Sequence, residues 1–517
     1  MYARFLRWAS DRLDENGVIA FVSNNSFINS KTFDGFRKVV KDEFNYLYII
    51  NLKGDARTSG EQRKREGGNV FDDQIRVGVA IYFLVKKRGL EECQIFYDEV
   101  GDFAKAEEKI GYISDKKLND FKFERITPDK NNNWIKLADT DFETLLPLAD
   151  KAVKSGQSNK ALFSLFSLGV VTARDEWVYD NEEDNLTKKI KFLINVYNKD
   201  LNLYKGKASK EIKDLVDYSI KWTRAVKNDL SKGRQYSFNE KLIVDSVYRP
   251  FVKRKMYFSK ELNEMQYQQH NIYPVDAKSE NRIICVNVGN KVFNILASKY
   301  VPDYHFNGDA NCLPFYRYDA NGNKIENITD WGLNQFTKQY GTKKISKEDI
   351  FHYTYAVLHY PVYRAKYELN LKREFPRIPF YEDFKQWAAW GKALMSLHID
   401  YETVKPFALK VTTTDTKGSP KAKLKADKES GLIIIDENTA LSGIPPEAWE
   451  YKLGNRSALE WVLDQYKVGK IKDPTIAAKF DTYLFADYKT QVLDLLRRVC
   501  TVSVETMKII KEMPQRL

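Results

Sequence analysis

Eleven lysines and arginines crowd residues 221–260: Lys221, Arg224, Lys227, Lys232, Arg234, Lys241, Arg249, Lys253, Arg254, Lys255 and Lys260. Only three acids, Asp229, Glu240 and Asp245, stand among them. The difference, +8, is two thirds of the formal charge of +12 carried by all 517 residues. Trp222, Tyr236, Tyr248, Phe251, Tyr257 and Phe258 interleave with the cations. Cations of this density neutralise phosphates and release counterions. Aromatic rings and arginine forks contact bases. The stretch therefore suits a nucleic acid, against the alternative of a solvated face with core aromatics. Two smaller groups follow the same chemistry. In "GVVTARDEWVYD" (169–180), Arg174 lies on a turn beside Asp175 and is either a base reader or half of a structural ion pair. In "LKREFPRIPF" (371–380), prolines stiffen the backbone that carries Arg373 and Arg377, for contact or as a simple strap.

Other chemistries are not signalled. There is no GxxxxGK[ST] loop for ATP phosphates, no GxGxxG opening a helix, and no GxSxG elbow. The five histidines lack metal-ligand spacing, so no metal site is expected. Four scattered cysteines form no CxxC pair, which argues against a zinc ribbon or a disulfide framework and suits a reducing cytoplasm. No stretch of some 18 apolar residues marks a membrane span.

These groups need elements to hold them. Tyr2, Phe5, Leu6, Ala9 and Leu13 share one helical face, and Asn16-Gly17 is a helix stop. Val18–Val22 reads as a strand without alternation, buried on both faces, which empties into Ser23-Asn24-Asn25-Ser26. Ser30 is placed to cap a second helix with Phe33, Phe36, Val40 and Phe44 inward. Strands follow at 46–52 and 75–87, on either side of the polar stretch 53–69. Helix, strand, helix, strand, long loop, strand is part of an open α/β sheet, whose binding loops lie at the carboxyl ends of strands. Phe71 falls near that crevice, as a stacking ring or, more simply, a hydrophobic plug. Residues 90–150 look transitional and polar. Beyond 150, helical segments near 186–230 and 345–372 mix with short aromatic strands. Residues 412–431 form a polar loop or exposed hairpin before the strand "LIIID", and the last 65 residues are largely helical. The expected division is a first domain over 1–125, a linker over 126–150, and a mixed α+β domain over 151–517 with two lobes parting near 330–345.

"GVIAFVSNNSFI" (17–28), "INLKGDARTSGEQRKREGGNVFD" (50–72) and "IRVGVAIYFLVKK" (75–87) resemble the second half of an adenine-N6 DNA methyltransferase domain. More narrowly, they resemble the single-polypeptide restriction–modification enzymes of type ISP, in which nuclease, motor, methyltransferase and target-recognition parts follow one another. "YRPFVKRKMYF" (248–258), "LHYPVYRAKYELNLKREFPRIPF" (358–380) and "YKLGNRSALEWVLDQY" (451–466) are similar to the target-recognition portion. The resemblance implies a partial Rossmann-like methyltransferase sheet, its C-terminal strands only, followed by a domain that reads duplex DNA. It implies that Phe71 packs on a flipped adenine, because the target nitrogen is unreachable in a stacked duplex. Asn24, Asn25 and Ser26 would line the same pocket. Arg57, Arg63, Lys64 and Arg65 would lie on the DNA side, as would Arg174, Arg249, Lys253, Arg254, Lys255, Arg373 and Arg377.

The departure is a missing half. The family's cofactor loop and its Asn/Asp-Pro-Pro-Tyr/Phe motif do not occur; the only Pro-Pro is Pro445-Pro446 in "GIPPEAW". S-adenosylmethionine is thus expected in a parent enzyme and not on this chain, which alone would transfer no methyl group. The remaining partners would be the N-terminal methyltransferase half with its motor and nuclease. The alternatives are a free-standing specificity subunit that complements a separate catalytic chain, and an RNA-binding or structural protein. The apolar edge of strand 18–22 is expected to be covered by the first helix, another chain or loops of the second domain.

Overall fold

A computed structural model describes residues 2–515 except 59, 73, 91, 130–131, 136–139, 205–215, 275–280, 290–291, 342–343 and 415–419. Parts of the expected linker, of the helical segment 186–230 and of the loop 412–431 therefore lie outside the described residues. The chain divides into two compact units, Met1–Ala138 and Asp139–Leu517.

The first unit is built on a five-stranded sheet. Its elements are α1 (Tyr2–Ser10), β1 (Gly17–Asn24), α2 (Ser26–Asn29), α3 (Asp34–Glu43), β2 (Tyr46–Lys53), α4 (Gly60–Glu66), β3 (Val79–Lys86), β4 (Gln94–Glu99), α5 (Ala106–Ile113) and β5 (Glu124–Ile126). The spatial order is β1-β3-β2-β4-β5. β3 runs antiparallel to both β1 and β2, while β2 and β4 are parallel. β2, an unbroken run of apolar and aromatic residues, sits inside the sheet and is buried along most of its length. On one face Ile19, Leu47, Ile49, Tyr82 and Leu84 pack with Leu6, Val40 and Phe44 from the helices; on the other, Ile50, Leu52, Val79 and Val100 form a smaller cluster.

Three expectations change here. β1 is an edge strand whose burial alternates, with Val18 and Val22 60% and 54% exposed. An unbroken apolar run is therefore no proof of burial on both faces. α1 touches β1 through Leu6, but its Tyr2, Phe5 and Trp8 point to solvent. Among the described residues no strand covers the free edge of β1, and its valine face is open. α3 begins at Asp34 rather than after Ser30, and buries Arg37 along with Val40. The Arg37 guanidinium donates to the carbonyls of Phe27 (3.0 Å), Ser30 (2.8 Å) and Asn132 (2.6 Å), and to Asn133 Oδ1 (3.2 Å). Finally, 94–126 is no transition: β4 and β5 complete the sheet, with Ile95 and Tyr97 inward.

The second unit combines small sheets with helices. A short strand β6 (Leu146–Pro147) leads to the helix α6 (Lys151–Lys154), β7 (Ser167–Leu168), α7 (Asp175–Val178), β8 (Tyr179–Asp180), the long helix α8 (Glu183–Tyr204) and α9 (Arg224–Ser231). Next come β9 (Ile243–Arg249), β10 (Val252–Tyr257), β11 (Ile283–Asn287), β12 (Ile295–Ser298), β13 (Val301–Pro302), β14 (Ala310–Pro314) and the ribbon β15 (Tyr316–Tyr318) and β16 (Lys324–Glu326). Two four-stranded sheets result, β13-β9-β10-β8 and β12-β11-β14-β7. β11 is buried throughout: Ile283 and Cys285 belong to one apolar cluster, Ile284 and Val286 to the other. A strand with both faces covered carries such a continuous apolar run.

On the second cluster lie α10 (Lys347–His359) and α11 (Phe384–Ile399), with β17 (Arg377–Ile378) between them. Ser346 and Asp349 form a capping box at the start of α10, and every residue from Ile350 to His359 is buried. The helices approach so closely that a Cβ on Gly391 would stand 1.7 Å from the His352 carbonyl oxygen. β17 pairs with β6, more than two hundred residues earlier. A third four-stranded sheet follows, from β18 (Lys410–Thr413), β19 (Ala422–Asp427), β20 (Leu432–Asp436) and β21 (Thr439–Ser442), and then α12 (Ala458–Tyr466) and α13 (Phe485–Glu512).

Candidate nucleic-acid interface

In the first unit the polar residues after β1 sit where the carboxyl ends of β1 and β2 meet the start of β3. Asn24 Oδ1 accepts the Ser26 N–H at 2.6 Å, a local turn that starts α2. Asn25 donates its backbone N–H to Gly78 O (2.9 Å) and its side-chain amide to Asn51 Oδ1 (3.0 Å). Asn51 donates in turn to the Tyr97 hydroxyl (2.9 Å), which donates to Glu99. Burial and the Glu99 carboxylate hold the Tyr97 phenol well above its ordinary pKa. Gly78 makes this approach possible, since a Cβ there would lie 2.4 Å from Asn25 Nδ2. Asn24, Asn25 and Ser26 are thus brought together, half-buried, and fixed before any ligand arrives.

The loop after β2 is tied down at its base. Asn69 Nδ2 donates to Gly54 O (3.1 Å) and Val77 O (2.8 Å). The Lys109 ammonium, reaching from α5, donates to Glu66 O and Gly68 O, both at 2.7 Å. Lys109 is fully buried, and desolvation pushes its pKa down to about 8. Nothing in the sequence marked this lysine. Phe71 follows Asn69, whose Oδ1 accepts the Phe71 N–H at 3.0 Å, and its ring is 51% exposed. The hydrophobic-plug reading is therefore wrong; Phe71 is exposed to solvent. Arg57 is held by both oxygens of Asp55, at 3.0 and 2.8 Å. Arg63 closes α4 onto Gly67 O (2.7 Å), while Lys64 and Arg65 are exposed on the same helix.

Between Ser23, Asn24, Phe27, Tyr82 and α1 there is a cavity of about 10 Å³. That holds roughly one water molecule and no nucleoside.

In the second unit most of the expected DNA-side cations are engaged within the fold. Arg249 pairs with Asp303 at 2.8 Å, and burial pushes the Asp303 carboxyl up to about 6 despite that partner. The Tyr248 ring lies between the guanidinium groups of Arg249 and Arg254, 3.9 and 4.3 Å from its centroid. Lys253 reaches Glu402 (3.1 Å), and Lys255 reaches Asp245 (3.1 Å) and Glu183 (3.3 Å). Arg377 donates to Glu143 O (3.2 Å) and lies 3.6 Å from Glu374, so it straps 374–378 to 143–147. Arg373 is half-buried nearby.

Arg174 is the clearest correction. It is 2% exposed, and its guanidinium donates to Thr223 Oγ1. Asp175 does not hold it; that carboxylate accepts instead from Thr172 and from the Tyr248 hydroxyl (3.0 Å). The turn that sets Arg174 inward has Ala173 in the left-handed region at φ +56°. Burial lowers the Arg174 pKa to about 10. In this conformation its side chain reads no base. The density of positive charge around 221–260 was visible in the sequence; the acids that answer it, Asp303, Glu183 and Glu402, come from distant segments.

Among the described residues no cluster of His, Cys, Asp and Glu fits a metal ion, and no helix is long and apolar enough to cross a membrane.

A family profile described as the Type ISP C-terminal specificity domain matches residues 161–495. A solved structure described as the DrdV–DNA complex, from electron cryomicroscopy, aligns over 100% of this chain and 52% of its own, at 49% identity and a TM-score of 0.87. A nuclease-deletion mutant of the Type ISP restriction–modification enzyme LlaGI, in complex with a DNA substrate mimic, aligns over 99% of this chain and 47% of its own (33% identity, TM-score 0.80). The ATP-dependent Type ISP enzyme LlaBIII bound to DNA aligns over 100% of this chain and 34% of its own, at 30% identity and a TM-score of 0.82. The chain thus spans about half the length of the first two. No curated protein sequence matches it.

Proposed function

The chain belongs to the Type ISP restriction–modification family through its C-terminal specificity domain, and from that premise we propose that it recognises a short sequence in duplex DNA on behalf of a larger enzyme. The observation that carries this reading is likeness along the whole chain, at 49% identity, to part of an enzyme captured with DNA. The formal charge of +12 supports it, since phosphates supply most of the non-specific affinity of such proteins. The experiment is a mobility shift with random duplex pools over a salt series. Binding that weakens linearly in log[salt], with enrichment of one short sequence, is expected; no shift at low salt overturns the proposal.

The parent enzyme transfers a methyl group from S-adenosylmethionine to adenine N6, and the first unit is the far end of that methyltransferase sheet. Support comes from the open valine face of β1 and the exposed Tyr2, Phe5 and Trp8, apolar surface of the kind that a further layer of sheet and helix buries. The residues at the end of β1 do not fit the cofactor: their cavity admits about one water. Phe71 and Asn24–Ser26 complete a base pocket only beside the rest of that methyltransferase sheet, and the two units on their own transfer no methyl group. Incubation with labelled S-adenosylmethionine and the enriched duplex is expected to leave the DNA unlabelled.

A further inference from the structure

Residues 467–471, between α12 and the segment that begins at Lys472, project from two pinned ends. At one end the Tyr466 carbonyl accepts the Tyr483 hydroxyl at 2.6 Å. At the other, the Glu176 carboxylate accepts the N–H groups of Lys472 (2.9 Å) and Asp473 (3.0 Å), and Asp473 accepts the Trp177 indole N–H at 2.7 Å. The motif "GVVTARDEWVYD" thus acts through Glu176 and Trp177, as the anchor of this loop. Arg254 lies within 3.4 Å of the neighbouring Gln465 carbonyl.

What the anchor presents is unusual for idle surface. Residues 465–472, "QYKVGKIK", carry three lysines and no acid. Lys470 and Lys472 are exposed and have no acidic partner among the described residues, unlike Lys253 and Lys255; Lys467 lies 3.3 Å from Asp464. Val468 is 67% exposed, which interior packing does not explain. A Cβ on Gly469 would meet nothing within 4 Å, so the fold does not demand glycine there. A missing side chain instead lets the loop tip come close to an outside surface.

We infer that the pinned loop 467–472 is a DNA-contacting loop, in which Lys470 and Lys472 engage phosphates and Val468 meets base edges in a groove. This rests on the DNA-recognition reading above and adds the place of contact. The occupant is duplex DNA because the loop is cationic without acids and offers one apolar side chain, the chemistry of phosphate contact with a thymine-methyl contact beside it.

The test uses the full chain and the duplex enriched from the random pool. Lys470→Ala/Lys472→Ala should reduce the slope of log K against log[salt] by about 1.8, at about 0.9 for each phosphate that is no longer neutralised. Val468→Asp should weaken binding tenfold or more. Both variants should melt at the wild-type temperature, because these side chains are solvated. Hydrogen exchange on the unsubstituted protein gives a second reading, with 467–472 expected to be protected when duplex is added. If the wild type binds but the variants keep its slope and affinity, and 467–472 gains no protection, the loop assignment is wrong while DNA recognition stands. If the wild type binds no duplex, the broader reading fails first.

Discussion

A charged side chain in this protein means different things according to what surrounds it, and Arg37 is the sharpest case. It lies on the inner face of α3, one turn before Val40, where it is fully buried and serves three carbonyls and an asparagine. Arg37→Ala strands those acceptors in the interior, and a loss of about 3 kcal/mol or more in first-unit stability is expected from denaturant titration. Arg37→Lys should recover only part of it, because an ammonium lacks the planar fork. Arg174 and Lys109 teach the same lesson. Composition revealed that cations were plentiful around Arg249–Lys255, but which of them remain available depends on acids supplied from elsewhere in the chain. Asn24, Asn25 and Ser26 were legible because a strand that ends in small polar residues delivers them locally.

Elements were easier to read when their burial was uniform. β2, β3, β20 and the start of α10 announced themselves by composition. β1 was legible as a strand but not as an edge, because an edge strand facing open solvent can carry the same valines as a central one. β4 and β5 were hidden by polar residues on their outer positions. The close contact of α10 against α11 was invisible: nothing local says that Gly391 faces the His352 carbonyl. Gly391→Ala is expected to force the helices apart and to cost about 1–3 kcal/mol or more, measured as a lowered unfolding midpoint of the second unit. A substitution on the exposed Gly469 should leave the midpoint unchanged.

At the scale of the whole molecule, the second unit should be acid-sensitive. His352, His359 and His398 are buried, and desolvation holds them neutral: His352 near 4, His398 near 3, and His359 well below its ordinary value. Their folded pKa values lie below the unfolded 6.5, so their contribution is intact above pH 6.5 and is lost as pH falls. At pH 5 each costs up to about 2 kcal/mol. Asp303, raised to about 6, works the other way and returns about 1 kcal/mol as it protonates in the folded state. Urea unfolding at pH 7 and pH 5 should show a net loss on the order of 4 kcal/mol; equal midpoints would contradict the buried-histidine account. The overall class, an α/β sheet followed by a mixed domain, was readable from the order of elements. The internal closure of the second unit was not, because β6 pairs with β17 and α13 packs on the first apolar cluster while Met513, just past its end, is buried in the second. That closure has a consequence during synthesis. Residues 146–147 leave the ribosome long before 377–378, and both wait for the helix that ends at Glu512. The second unit therefore has no early resting place: its nascent chain carries an unfinished core until the helix that ends at Glu512 has emerged, an interval in which exposed apolar surface favours association.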